Sequence, residues 1–126
     1  MNGDRSLWSR QIAERRGRVA ECVAAWSCRL KGFRVLASRY RTPLGEIDLV
    51  LRRQSLLIFV EVKARESFDR AVEALRLQQQ LRLTRAAEIF LQHHPVHSGC
   101  AIRFDLIAIR PWRLPRQIKD AWRPDR

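Results

Sequence analysis

Gly45-Glu46-Ile47-Asp48-Leu49-Val50-Leu51-Arg52-Arg53, then Gln54-Ser55, then Leu56-Leu57-Ile58-Phe59-Val60-Glu61-Val62-Lys63 reads as a β-hairpin with its charges gathered at the open end. In the first strand Glu46, Asp48 and Val50 alternate with Ile47, Leu49 and Leu51; in the second, Phe59, Glu61 and Lys63 alternate with Ile58, Val60 and Val62. Closing the hairpin symmetrically about Gln54-Ser55 puts Leu49 opposite Val60, Ile47 opposite Val62, Asp48 opposite Glu61 and Glu46 opposite Lys63. The apolar sets then coincide, which selects this register. Opposed Cβ atoms lie ~4.5–5.5 Å apart, so two carboxylates would meet on one half-buried face. Like charges that close repel, unless a hard divalent cation sits between them. Lys63 projects from the same face, where it could orient an attacking water or offset charge on a phosphate. Gly45 would let the chain turn sharply into the acidic strand. The plainer alternative is a cross-strand Glu46–Lys63 ion pair, with Asp48 and Glu61 solvated at a sheet edge.

Working outward, apolar residues recur at helical spacing from about Leu7 to Leu30, with Val19, Ala20, Val23, Ala24 and Leu30 as the stripe and Lys31-Gly32 as the stop. Phe33 to Arg41 is β-leaning, and Thr42-Pro43-Leu44-Gly45 is a turn into the hairpin, giving a three-stranded meander. A second helix, capped by Asp69, carries Val72, Leu75, Leu83, Ala86, Ala87 and Phe90 until His93 to Gly99 breaks it. Ile102 to Ile109 reads as a final strand. The order α-β-β-β-α-β predicts an α/β domain with a mixed sheet flanked by helices over residues 1–110. Residues 111–126 form a Trp/Arg/Pro tail packing on that domain, with a short helix expected around Ile118 to Trp122.

The chain has 126 residues, 46% of them hydrophobic, which suits one domain with a modest core. A net charge of +12, from 25 Lys and Arg against 13 Asp and Glu, points to a polyanionic partner. A membrane binder would concentrate its charge on one amphipathic helix or beside an apolar anchor, whereas these basic residues run from end to end. Nucleic acid is the expected partner, with no membrane association. No apolar run approaches transmembrane length and Met1 to Arg10 lacks an apolar signal core, so a cytoplasmic location is expected. Cys22, Cys28 and Cys100 are odd in number and lack CxxC spacing, which suggests reduced core thiols.

Gly45-Glu46-Ile47-Asp48-Leu49 followed by Phe59-Val60-Glu61-Val62-Lys63-Ala64-Arg65 resembles the hallmark of the YraN family, small bacterial proteins with a restriction-endonuclease-like fold. The resemblance runs from about Gly17 to Ile109, including Ala20-Glu21 and Arg103-Phe104-Asp105. That family is similar to PD-(D/E)xK nucleases, particularly Holliday junction resolvases, which work as dimers. The resemblance therefore implies a Mg (or Mn)-dependent endonuclease acting on branched or single-stranded DNA, with a homodimer among its implications. Asp48 and Glu61 become metal ligands, Lys63 the catalytic lysine, and Glu21 the helix-borne acid completing the site. Glu46 takes a supporting place, tethering Lys63. Gln79 departs from the lysine common near this point of the family, and either points into the site or satisfies a backbone group. The alternative function is a nucleic-acid-binding module of the same fold without turnover of its own.

Arg65 is the expected phosphate clamp beside the site, and Arg39 and Arg41 belong to an acid-free basic run that suits nucleic acid. Trp112 and Trp122, interleaved with arginines, are candidates for base stacking or for docking on the core. His93, His94 and His97 read as a polar turn rather than a zinc site, for want of a matching Cys or carboxylate pattern.

Overall fold

The computed structural model describes residues 17–73 and 76–123. Helix α1 covers residues 17–30, so the expected start at Leu7 lies outside the described residues. It is followed by β1 (Arg34–Thr42), β2 (Gly45–Arg53), β3 (Leu56–Ala64), α2 (Phe68–Glu73), α3 (Leu77–His93), a 3-10 turn (Pro95–His97), β4 (Ala101–Ile109) and β5 (Arg116–Ile118). The strands form one sheet in the order β1-β2-β3-β4-β5, with β3 and β4 parallel and every other neighbour antiparallel. The mixed α/β architecture is the one expected. Among the described residues no helix is long and apolar enough to cross a membrane.

Both faces of the sheet are covered, which makes its centre strands almost continuously apolar. On one face Ala20, Ala24, Ala25 and Cys28 of α1 pack on Leu49, Leu51, Ile58, Val60, Val62 and Ile107. On the other, Leu83, Ala86, Ala87 and Phe90 of α3 pack on Ile47, Val50, Leu57, Phe59 and Phe104. The helix α1 thus turns its small residues inward, and the expected stripe is corrected: Val19, Val23 and Leu30 are exposed. Small side chains win because they let the helix axis approach the sheet closely.

The expected second helix is two. Arg76 has extended backbone (φ −80°, ψ 158°) immediately before α3. Leu75 lies outside the described residues, and Val72 is exposed rather than core. Nor does Asp69 cap α2; it sits in the first turn, while the Arg70 N–H donates to Ser67 Oγ at 3.3 Å. The tail differs as well. In place of a helix, Arg116–Ile118 adds an antiparallel strand to β4, and Trp122 is buried against Phe104. Asp105, fully buried on β4, locks this tail. Its carboxylate accepts from Arg103 at 2.8 Å through both oxygens, from Gln117 Nε2 at 2.7 Å and from the Asp120 N–H at 2.9 Å. All three cysteines are free; Cys28 is core, Cys100 half-buried and Cys22 exposed, against the core placement expected for it.

Candidate functional site

The hairpin register is the one the pattern selects, with Leu49 opposite Val60 and Arg53 opposite Leu56. The ladder stops at Leu49–Val60, so Asp48–Glu61, Ile47–Val62 and Glu46–Lys63 are not backbone-paired. Beyond that point the Val62 N–H donates to Asp48 Oδ2 at 2.8 Å, a side-chain oxygen taking the place of a strand carbonyl. The two strands fork there, and Asp48 and Glu61 face each other within the fork.

Glu61 is only 5% exposed, and its Oε1 accepts from Gln79 Nε2 at 2.8 Å and pairs with Lys63 Nζ at 3.0 Å. Gln79 therefore reaches from α3 into the site, resolving the choice left open by its sequence position. Burial first, and then the Glu61 charge, push Asp48 up to about 8, against the opposing pull of the Val62 N–H. Burial also raises Glu61, with the Lys63 charge pulling the other way. Near neutral pH the metal-free pair thus retains a proton, an arrangement typical of coupled buried carboxyls.

Glu21 is brought close as well, for a reason visible only once the buried face of α1 is known. It stands one turn before Ala24 and Ala25 on that inward face, and its charge is felt at Asp48. Its carboxylate pairs with Arg39 Nε at 2.7 Å. Arg39 has φ +52°, an unusual conformation on edge strand β1, and burial-opposed hydrogen bonding to Glu21 holds its guanidinium firmly protonated. Arg41 pairs with Glu46 across the β1–β2 ladder at 3.5 Å, both well exposed. The expected tether from Glu46 to Lys63 is absent: the partner of Glu46 is Arg41, and that of Lys63 is Glu61.

A cleft of about 460 Å³ opens over the acids, lined by Gly45, Glu46, Asp48, Glu61, Arg76 just before α3, and Gln79 and Arg82 on it. The two arginines escaped the sequence reading; Arg82 lies three residues beyond Gln79, which places it on the same helix face once Gln79 is known to face the site. Gly45 has a different task from the one expected. A Cβ there would come 2.7 Å from the Arg82 carbonyl oxygen, so the missing side chain is what allows α3 to close over the start of β2. The preceding turn is held by Thr42 Oγ1, which accepts from the Leu44 and Gly45 N–H groups at 3.1 and 3.0 Å. Arg65, by contrast, lines a separate groove with Val19 and Arg110 rather than the acid cleft.

Residues 20–109 match the uncharacterised protein family UPF0102. The chain belongs to that family. The same UPF0102 family, the YraN family of the sequence resemblance, includes a protein of Paramagnetospirillum magneticum that is 46% identical over 99% of this chain and all of its own length. A UPF0102 protein of Parvibaculum lavamentivorans is 52% identical over 89% of this chain and 84% of its own, and one of Mesorhizobium japonicum 44% identical over 94% and 95%. The UPF0102 match contains every side chain of the acid cleft and ends before β5 and the tail.

Proposed function

We propose that this UPF0102 protein is a metal-dependent phosphodiesterase acting on DNA. The observation that carries the reading is the pair of facing carboxylates, partly buried Asp48 and buried Glu61, beside Lys63. Left alone, such a pair resists ionising; a hard divalent cation removes the resistance and is matched by the oxygen donors. Among the described residues no group of three or more His, Cys, Asp or Glu gathers to hold a metal. Two carboxylates fit Mg²⁺ or Mn²⁺ nonetheless, since Mg²⁺ commonly takes one or two and fills its other positions with waters and phosphate oxygens.

Asp48 and Glu61 would hold the ion, and when bound it would supply Lewis acidity toward a phosphate oxygen. The rest falls to the chain. Gln79 fixes the Glu61 carboxylate through Oε1, and the same carboxyl is hydrogen-bonded to Asp48, where the ion would take the place of the shared proton. Lys63 stands at the same carboxylate, placed to orient the water whose oxygen bonds to phosphorus as the ester P–O bond breaks, and to offset charge growing on the phosphoryl oxygens. Arg76 and Arg82 give the cleft a basic rim for the neighbouring phosphates.

A binding module without turnover is the second reading, favoured by the engagement of Glu21 with Arg39, which keeps the α1 acid out of the lining of the cleft. Incubating the protein with duplex, single-stranded and four-way-junction DNA, with Mg²⁺ or Mn²⁺, separates the two. Cleavage lost in Asp48→Ala and Lys63→Ala supports the enzyme, with a fall on the order of 100-fold or more from the lysine alone. Absence of metal-dependent cleavage above those variants, with salt-sensitive binding kept in them, supports the module.

A further inference from the structure

A second groove lies at the carboxyl ends of the parallel strands β3 and β4, where the Arg65 N–H donates to the Ile109 carbonyl at 3.1 Å. Its volume is about 760 Å³. Val19 and Ile109 give it an apolar floor, and Arg65, Arg70 and Arg110 line it with positive charge against the single carboxylate of Glu66. Among the described residues nothing accepts a hydrogen bond from the buried Arg110 Nε. A buried donor without an acceptor is expensive in a native structure, and this one lies on a residue that lines an open groove.

The groove ends in an unusual turn. The Arg113 N–H reaches the Arg110 carbonyl at 3.4 Å, Pro111 takes the second position, and Trp112 takes the third with φ +58°. That third position is one glycine favours, because a Cβ is strained there. Here it carries the largest side chain available, and the indole is completely exposed. Among the described residues no packing repays the strain, and such outliers are retained where the presented group does something.

We infer that this groove holds a single-stranded segment of nucleic acid, with phosphates on Arg65 and Arg110 and a base stacked on Trp112. The inference rests on the proposed function for the class of ligand and extends it to the form of the substrate. Exposed aromatic faces beside arginines are the means by which single strands are held irrespective of sequence, whereas a duplex keeps its base faces stacked internally. The position agrees: Glu61 and Lys63 lie on β3 and Arg65 immediately follows its end, so a chain crossing this edge of the sheet passes from the acids to the groove. Ligands of parallel sheets collect outside the carboxyl ends of the strands.

The test uses the full-length protein in chelator, where cleavage plays no part, with labelled oligothymidylate and a labelled duplex read by fluorescence anisotropy. Trp112→Gly should weaken binding to the single strand about tenfold, leave the duplex little changed, and leave the melting temperature the same or higher, because strain is relieved. Trp112→Phe should restore most of the affinity. Arg65→Ala should lower the slope of log affinity against log salt by about one. Single-strand binding by Trp112→Gly equal to that of the unaltered protein overturns the inference, as does an equal loss on both ligands. Cleavage by the unaltered protein combined with intact binding by Trp112→Gly removes the groove and leaves the acid site standing. A Trp112 effect in a protein that cleaves nothing does the reverse.

Discussion

Replacing Asp48 by Asn should make the metal-free protein more stable at high pH, and by an amount set by the fork. The amide is nearly isosteric: its oxygen can still accept from the Val62 N–H, and its nitrogen can donate to Glu61. What disappears is the charge. Asp48 rises from an ordinary 3.8 to about 8, so the folded state binds this proton more tightly than the unfolded one. Its burial is therefore without penalty below about pH 4, increasingly unfavourable as pH rises, and fully unfavourable above about pH 8. At 1.36 kcal/mol per unit the full shift corresponds to about 6 kcal/mol; partial exposure of Asp48 and joint titration with Glu61 reduce the expected effect to roughly 2–4 kcal/mol. Urea unfolding in chelator from pH 5 to pH 9 measures it. The unaltered protein should lose stability across that range relative to Asp48→Asn, and Mg²⁺ or Mn²⁺ at high pH should recover the loss in the unaltered protein alone. Parallel stability curves for the two proteins would refute the reasoning, since the carboxylates would then not be strained by each other or by burial.

Two further substitutions probe the scaffold. Gly45→Ala forces α3 away from β2 by contact with the Arg82 carbonyl, and should cost about 1–3 kcal/mol by thermal unfolding while moving Arg82 and Gln79 off the acids. Asp105→Ala strands the Arg103 guanidinium and two further donors, Gln117 Nε2 and the Asp120 N–H, so a loss of about 3–5 kcal/mol is expected, with hydrogen exchange rising first in β5.

The central hairpin was legible because a period of two leaves little freedom: only one register superposes the apolar sets of β2 and β3. The same reasoning could not see where the ladder ends, since nothing in the alternation distinguishes a strand carbonyl from the Asp48 oxygen that replaces it. Glu21 and Gln79 were nameable, the first by resemblance alone, but neither could be placed. That of Glu21 hinged on which face of α1 is buried, and a ranking by hydrophobicity favours Val19 and Val23 over the alanines. Gln79 depended on α3 being a separate helix, and no Gly or Pro marks the interruption before Leu77. The tail was misread for a tertiary reason. Residues Arg116 to Ile118 gain strand geometry by pairing with β4 beside the buried Asp105, a contact that no local propensity anticipates.

The alanine face of α1 also sets a gauge. Ala20, Ala24 and Ala25 act as shims of minimal thickness between helix and sheet, so the depth to which Glu21 is lowered toward the fork is decided by side chains with no chemistry of their own. The helix is bulky on its outer side and thin on its inner side, the inverse of the ordinary amphipathic plan. The charge that Glu21 presents to Asp48 is thus set from a layer away, by the spacing of methyl groups.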